Sequence, residues 1–141
     1  MKIGTITQVS GPVVDVAFEA GHLPRIKEAL SVELNGQGRV MEVAQHVGGS
    51  TVRCIMLAGS EGLARGMKVS APGRTIEVPV GEATLGRMFN VLGQPIDGGD
   101  PIPEETPRKS IYRDPPAFAD QSPAVEILET GIKVIDLLEP Y

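Results

Sequence analysis

Residues 29–47 read ALSVELNGQGRVMEVAQHV, two runs of alternating side chains on either side of Asn35-Gly36. Asn-Gly is the strongest short signal for a two-residue hairpin turn, because both residues tolerate the positive φ that this turn needs. The alternation predicts strands over Ala29–Leu34 and Arg39–Val47. The apolar face of the second strand holds Met41, Val43 and Val47.

Five further runs of the same kind surround this hairpin. They are Lys2–Val9, Pro12–Phe18, Thr51–Leu57, Met67–Ala71 and Thr75–Val80. In the second of these, Val14, Val16 and Phe18 share one face, which suits a strand with one buried side. Six or seven short strands at this spacing predict a small antiparallel β-barrel, since an open sheet of this size would leave two unpaired edges.

The pattern changes after Val80. Glu82–Leu92 predicts an amphipathic helix because its apolar residues recur at i, i+3, i+4 and i+7. These residues are Leu85, Met88, Phe89 and Leu92. Gly93 follows in the position of a left-handed C-terminal cap. Gly86 inside the helix costs about 1 kcal/mol relative to Ala, which favours close packing against another backbone.

The rest of this region is predicted to be loop, strand and short helix. Residues 94–123 hold seven of the 12 prolines and are typical of a loop that wraps a neighbouring surface. Ala124–Gly131 predicts a strand and Ile132–Leu138 a short helical run. The predicted organisation is a mainly β chain, with a barrel domain over residues 1–80 and a smaller, incomplete unit over residues 81–141.

Composition argues against several classes of function. The chain has 13 basic and 18 acidic residues, a formal net charge of −5, which disfavours a nucleic-acid binder. Two Tyr, three Phe and no Trp leave little for stacking bases. Cys54 is the only cysteine of the sequence, which favours a reducing compartment. It lies within Val52–Leu57, the setting of a buried strand, which favours a structural core thiol over a nucleophile. We recognise neither a signal peptide nor an apolar stretch near the roughly 20 residues that cross a bilayer, so membrane contact is expected only through partners.

No pattern in the sequence predicts a catalytic, cofactor-binding or metal-binding residue. His22 and His46 lack the spacing of metal ligands. The Glu104-Glu105 pair lies in a Pro-rich stretch, where solvated loop charge is the expected role. Gly36-Gln37-Gly38 and Gly48-Gly49 each join two strands, so they predict hairpin turns instead of a phosphate cradle. The P-loop pattern G-x-x-x-x-G-K-[ST] occurs nowhere in residues 1–141, and no bound cofactor is expected.

Four segments together resemble the β subunits of F-type ATP synthases, in the same order and at similar spacing. They are residues 4–16 (GTITQVSGPVVDV), 61–67 (EGLARGM), 78–98 (VPVGEATLGRMFNVLGQPIDG) and 126–141 (EILETGIKVIDLLEPY). The resemblance covers essentially the whole chain. The GPVVDV opening and the LETGIKVIDLL run favour β over the non-catalytic α subunit, which shares a similar TGIKxID run. Vacuolar-type and flagellar or secretion-system ATPases share the architecture with looser motifs.

The resemblance implies that residues 1–80 are the N-terminal barrel of the catalytic subunit of an enzyme that makes ATP from ADP and phosphate with a proton gradient. In that family the barrels join in a crown that holds alternating α and β subunits, and the full-length subunit also meets the rotor. The implied location is the cytoplasmic face of a membrane, reached through the complex. Residues 81–141 would begin the α/β P-loop nucleotide-binding domain.

The same resemblance implies that this chain by itself is inactive. The family's phosphate-binding loop, catalytic carboxylate, arginines near the γ-phosphate and adenine-stacking aromatics all lie beyond Tyr141. Mg-ATP or Mg-ADP is therefore expected only in the full-length subunit, and no catalytic, cofactor-binding or metal-binding residue is assigned here.

Two other functions stay open on the sequence. One is a standalone barrel that binds neighbouring proteins and has no catalytic role. The other, weaker alternative is an oligonucleotide-binding barrel, which the acidic charge opposes. Under the leading interpretation we further expect residues 1–80 to be more stable than residues 81–141, because the latter lack most of the sheet that they should cover.

Overall fold

A computed structural model describes residues 1–121, 124 and 126–141. Its first six strands are β1 (Lys2–Ser10), β2 (Val13–Ala17), β3 (Ala29–Leu34), β4 (Gln37–Gly48), β5 (Thr51–Met56) and β6 (Lys68–Ala71). They pair antiparallel in the order β1-β2-β5-β4-β3-β6, and β6 pairs with both β3 and β1. The sheet is therefore a closed barrel, which confirms the mainly β, antiparallel barrel predicted from the sequence.

The predicted strand Thr75–Val80 is not part of the barrel. A shorter strand, β7 (Glu77–Pro79), pairs antiparallel with β8 (Arg108–Ser110) in a separate two-stranded sheet. Both edges of the preceding strand β6 are already occupied by β1 and β3, so a seventh strand finds no open edge there. The barrel has six strands, and β8 lies in the stretch that the proline content predicted to be loop.

The turn at Asn35-Gly36 forms the predicted hairpin. Asn35 and Gly36 have φ values of 52° and 75°, the two positive angles that a type I′ turn requires. Strands β3 and β4 pair directly outward from it, beginning with Leu34 opposite Gln37. Gly48 and Gly49, with φ 118° and 58°, connect β4 to β5. Both Gly-containing segments are strand connections, as predicted.

Aliphatic side chains from all six strands fill the barrel. Val14, Val16 and Phe18, predicted to share one buried face, are 0%, 0% and 6% exposed. The other members of the core are Ile6, Leu30, Val32, Met41, Val43, Val52, Cys54, Met56, Val69 and Ala71. Burying a Val, Leu, Ile or Phe side chain contributes about 1.5–3 kcal/mol. This cluster is therefore the main source of the barrel's stability.

Cys54 belongs to this core, as the sequence predicts. It lies on β5 opposite Val14 of β2 and Val43 of β4 and is fully buried. Burial, with a smaller contribution from the negative charge of Asp15, raises the pKa of the Cys54 thiol to about 12. At this pKa the thiol is neutral at physiological pH, which fits a structural role, because the thiolate is the reactive form.

One predicted face is interrupted on β4. Met41 and Val43 are buried as expected, but Val47 is 42% exposed. The pairing of β4 with β5 shifts register between Val43 and Gln45 and again between His46 and Gly48. An extra residue in one strand turns the side chains that follow it to the other face. The prediction that Val47 shares the buried face of Met41 and Val43 is therefore wrong.

The predicted amphipathic helix over Glu82–Leu92 is also wrong. Only Glu82–Thr84 forms a single 3₁₀ turn. Gly86 follows with φ 69°, a left-handed conformation that cannot continue a right-handed helix. No atom lies within 4 Å of the position that a Cβ of Gly86 would take. Backbone conformation, and not close packing, explains this glycine.

The second half of that stretch is a turn held by a side chain. Asn90 Oδ1 accepts hydrogen bonds from the N–H groups of Leu92 and Gln94 at 2.9 and 3.0 Å, and Phe89 forms an isolated antiparallel bridge with Pro95. Gly93 is left-handed, as predicted, with φ 69°, but it closes this turn and not a helix. Asn side chains compete with helices for backbone groups, and apolar spacing does not reveal that competition.

The remaining predictions on residues 94–141 have mixed outcomes. A short helix, α1 (Lys133–Leu138), confirms the helical run predicted over Ile132–Leu138. The strand predicted over Ala124–Gly131 is not formed by the residues of this range that the structure describes. Val125 lies outside the described residues. The loop predicted over residues 94–123 contains β8 and a 3₁₀ turn at Phe118–Asp120; Ser122 and Pro123 lie outside the described residues.

A carboxylate organises the turn where a strand was predicted. Asp136 accepts hydrogen bonds from the N–H and hydroxyl of Thr130 at 3.0 and 2.7 Å and from the N–H of Gly131 at 3.0 Å. These bonds hold the pKa of Asp136 below its ordinary value. Within the described part of the chain, no helix is long and apolar enough to cross a membrane. The domain boundary near residue 80 stays a prediction.

Candidate interaction surface

The outer face of β2 and β5 combines apolar side chains with an ion pair between the two strands. Because inward side chains alternate with outward ones, these two strands present six residues on the outside, here named the β2–β5 wall. They are Val13, Asp15, Ala17, Thr51, Arg53 and Ile55. Each pairs directly with a partner across the two strands, since Val13 lies opposite Ile55, Asp15 opposite Arg53 and Ala17 opposite Thr51.

A bidentate ion pair lies at the centre of this wall. Arg53 Nε and a terminal guanidinium nitrogen donate to the two carboxylate oxygens of Asp15, both at 2.8 Å. The side chain of Asp15 is 12% exposed and that of Arg53 is 39% exposed. The hydrogen bonds from Arg53 hold the pKa of Asp15 below its ordinary value, although partial burial opposes this effect. Two parallel hydrogen bonds fix both side chains in one orientation.

The wall also exposes apolar surface beside this pair. Ile55 is 47% exposed and lies between Val13 on β2 and Glu42 on β4. A rigid aliphatic side chain next to an oriented ion pair can contact another protein with little loss of side-chain entropy. The wall therefore suits protein–protein contact.

A cavity of about 410 Å³ separates the barrel from the β7–β8 sheet. Its lining includes Leu30 of the barrel core, Ile76, Leu92 and two arginines, Arg74 and Arg108. Arg108 donates to the main-chain carbonyls of Glu77 and Leu92 at 3.1 and 3.4 Å. Glu77 is the single carboxylate among the described lining residues, so this cavity presents no pair of groups for acid–base chemistry.

The two histidines contact different partners, and the Glu104-Glu105 pair lies in a turn. His46 Nε2 is 2.8 Å from the carbonyl oxygen of Pro24, and exposed His22 lies 4.0 Å from the carboxylate of Glu19. Glu104 and Glu105 are exposed in a turn. Among the described residues, no three His, Cys, Asp or Glu side chains are grouped so that they could hold a metal ion.

A second ion pair organises the loop after β7. Arg87 Nε donates to Asp97 Oδ2 at 2.5 Å and its guanidinium also donates to the main-chain carbonyl of Asp100 at 2.8 Å. Asp97 further accepts from the N–H groups of Met88 and Gly99 at 3.2 and 3.1 Å. Arg87 and these N–H groups hold the pKa of Asp97 well below its usual range. These contacts fix a loop conformation and leave no carboxylate oxygen free for chemistry.

The barrel corresponds closely to a known domain model. Residues 6–73 match the model described as ATP synthase alpha/beta family, beta-barrel domain. The barrel is therefore similar to the beta-barrel domain of that family. The matched range begins within β1 and ends two residues after β6, so it covers most of the closed six-stranded barrel and excludes the β7–β8 sheet.

Sequence reasoning missed the contacts that organise this surface. Alternation places Asp15 on the outer face of β2, but its partner Arg53 becomes evident only from the β2–β5 register. That pairing brings together residues 38 positions apart. Charge complementarity between two outward positions was the available signal, and it needed the strand order to be useful. The barrel thus carries an outer surface on which the charged side chains of Asp15 and Arg53 are held in one orientation.

Proposed function

We propose that this chain is the N-terminal part of the β subunit of an F-type ATP synthase. The observation that carries the proposal is the match of residues 6–73, which include most of the closed barrel, to the alpha/beta-family barrel domain. The choice of β over α is supported by the GPVVDV and LETGIKVIDLL runs at residues 11–16 and 128–138. The resemblance over residues 78–98 supports an F-type enzyme.

The barrel's role in this proposal is assembly. Alternating α and β barrels join side by side in a ring, and the β2–β5 wall supplies one of the lateral contacts. Its exposed Ile55 and the fixed Asp15–Arg53 pair give that contact both apolar area and an oriented charge pattern. In the full-length subunit the partners would include the rotor, and contact with the membrane would come through the complex.

We propose no ATP synthesis by residues 1–141 themselves. Nucleotide binding by the usual route needs backbone N–H groups of a Gly-rich loop at a helix N-terminus, a Lys and a magnesium-binding hydroxyl. Residues 1–141 contain no such run. Calorimetric titration of the purified chain with Mg-ATP should give no saturable heat, whereas a site-specific micromolar affinity contradicts this part of the proposal.

The assembly role is tested with the α subunit of an F-type synthase. The purified chain and the α subunit should form a complex in sedimentation velocity, and Ile55→Asp should weaken it. Ile96→Asp is the matched control, because Ile96 is 60% exposed outside the barrel and should leave the complex unchanged. The absence of any complex, or equal loss with both variants, counts against the β2–β5 wall as a subunit contact.

The alternative is a standalone barrel that binds neighbouring proteins without a catalytic half. The closed barrel and its exposed wall fit this role as well. The two proposals differ in the reading frame that follows the codon for Tyr141. A Gly-rich loop with Gly-Lys-Thr in frame within about 20 residues supports the β subunit, whereas a stop codon directly after Tyr141 supports the standalone module.

A further inference from the structure

Tyr112 connects the segment that follows β8 to the outer face of β4. Its hydroxyl lies 2.7 and 2.8 Å from the two carboxylate oxygens of Glu42 on β4, a residue 70 positions earlier in the chain. On the other side, Lys27 Nζ lies 4.4 Å from the centroid of the Tyr112 ring. Tyr112 is therefore held by a hydrogen bond to an anion at its tip and by a cation–π contact at its face.

The position of Lys27 depends on an unusual backbone conformation. Lys27 has φ 73°, which is uncommon for a residue with a long side chain. Its N–H donates to the carbonyl of Val43 at 2.8 Å, and the carbonyl of Glu28 accepts from the N–H of Val43 at 3.0 Å. Pairing with β4 thus holds Lys27 in this conformation. A strained residue that the surrounding fold maintains is a pointer to a specific task, and here its ammonium contacts the Tyr112 ring.

The segment just before Tyr112 is anchored separately. Strand β8 pairs with β7, and the Ser110 hydroxyl lies 2.5 Å from that of Thr75. The N–H of Ile111 donates to the carbonyl of Ile76 at 3.1 Å. Every residue from 111 to 121 is exposed. Within this exposed stretch, Tyr112 contacts the barrel through Glu42 on β4.

We propose that Tyr112, Glu42 and Lys27 form a latch that fixes the chain leaving β8 to the barrel and that can open while the barrel stays folded. The three side chains lie on the outside of the barrel, and none belongs to the core cluster. The contacts are few and solvent-accessible, so they shift a local equilibrium without controlling global folding. The latch sets the direction in which the following segment leaves the barrel.

The latch rests on these contacts alone and not on the proposed function. It would operate equally in a β subunit and in a standalone module. In either protein the latch would connect the outer face of β4 to the binding partners of residues 113–141. The Glu42 carboxylate, which accepts the hydrogen bond, also raises the pKa of Tyr112 above its ordinary value, which gives a spectroscopic signal for the closed state.

The first test removes one hydroxyl group. Tyr112→Phe should increase the rate of tryptic cleavage after Arg113 about fivefold, because one hydrogen bond to a carboxylate is lost. Tyr141→Phe is the matched control: it makes the same change in the other of the two tyrosines of the chain, which is 71% exposed, and should leave this rate unchanged. Equal rates in Tyr112→Phe and the unmodified chain overturn the proposal.

The second test changes the acceptor and keeps its shape. Glu42→Gln leaves a neutral acceptor for the Tyr112 hydroxyl and should also speed cleavage after Arg113, though less than Tyr112→Phe. The double variant with Tyr112→Phe should be no faster than Tyr112→Phe alone, since both substitutions act on the same hydrogen bond. Absorbance titration of the tyrosines should show one group with a raised pKa, and Glu42→Gln should lower it toward the ordinary value. Fully additive cleavage rates, or an unchanged titration, contradict the latch.

A third measurement separates a latch from a part of the core. Hydrogen exchange of the amides of Ile111 and Tyr112 should accelerate in Tyr112→Phe, whereas the amides of Val43 and Val52 in the barrel should keep their protection. Equal loss of protection at all four amides would mean that Tyr112 supports the barrel itself, and the latch would be rejected.

Discussion

The barrel and the region after it use similar apolar residues with opposite results. In the barrel, closure of six strands places Leu30 and Val32 at 1% exposure, whereas Leu137 and Leu138 at the end of the chain are 76% and 74% exposed. Local patterns specify the strands of the barrel and the short helix at the end of the chain. A buried core arises only where the strands also find partners, because burial requires a second layer or a closed sheet.

The largest expected effect compares the same substitution in the two regions. Leu30→Ala should lower the free energy of unfolding by about 2–5 kcal/mol, because it leaves a cavity in the barrel core. Leu137→Ala should change it by no more than about 0.5 kcal/mol, because its side chain is already in solvent. Urea unfolding followed by circular dichroism measures both. Similar losses in the two variants would show that the end of the chain packs against the rest.

The next effect tests the tightness of the core. In Gly4→Ala the new Cβ would lie 2.6 Å from Val16 Cγ1 and 2.7 Å from Phe18 Cζ, so we expect a loss of about 1–3 kcal/mol from overpacking. Gly38→Ala is the control, because its nearest neighbour, Glu33 Oε1, lies at an ordinary 3.5 Å. Urea unfolding of both variants checks this, and equal stability of the two contradicts the packing described here.

Sequence patterns predicted the barrel well because its determinants are local or periodic. The positive φ of Asn35 and Gly36 and the buried face of Val14, Val16 and Phe18 follow from residue type and period alone. The match of residues 6–73 to a family barrel supports the same fold. These features need no knowledge of which strands become neighbours.

The failures have non-local or competing causes. Val47 turned outward because β4 shifts register against β5, and a bulge is not visible in the spacing of apolar residues. Glu82–Leu92 has helical spacing, but Gly86 adopts a positive φ and Asn90 caps a turn. The pairs Asp15–Arg53 and Glu42–Tyr112 depend on strand order and on contacts across 38 and 70 residues.

Gly86→Ala distinguishes the turn from the predicted helix by the sign of its effect. In a helix Ala would be favoured over Gly by about 1 kcal/mol, whereas at φ 69° it should be disfavoured by about 1–2 kcal/mol. We therefore expect faster hydrogen exchange at the amides of Arg87 and Asn90 and no gain in helical circular dichroism. A gain in helicity would contradict the turn.

The smallest effect concerns the ion pair of the β2–β5 wall. Because the pKa of Asp15 is lowered in the folded state, the pair stabilises the barrel above the unfolded pKa of about 3.9. This contribution is lost as the pH falls through the lower folded pKa. As the pH falls below about 4, the free energy of unfolding should therefore decrease less in Asp15→Asn than in the unmodified chain. Urea unfolding at several pH values measures this difference.

The control for this pH effect is a second aspartate. Asp114→Asn changes an exposed residue in the segment after Tyr112 and should leave the pH dependence of stability as it is in the unmodified chain. The role of the Asp15–Arg53 pair would be refuted by an identical pH dependence in Asp15→Asn and Asp114→Asn.

Native-state hydrogen exchange tests the central claim most directly, because it measures the stability of each region separately. If the closed barrel is the independently stable unit of this chain, amides in β1–β6 should exchange slowly and with a common free energy of opening. Amides in residues 126–141 should exchange close to the rate of an unstructured peptide. Uniform slow exchange across both regions would contradict this account, as would fast exchange within the barrel strands.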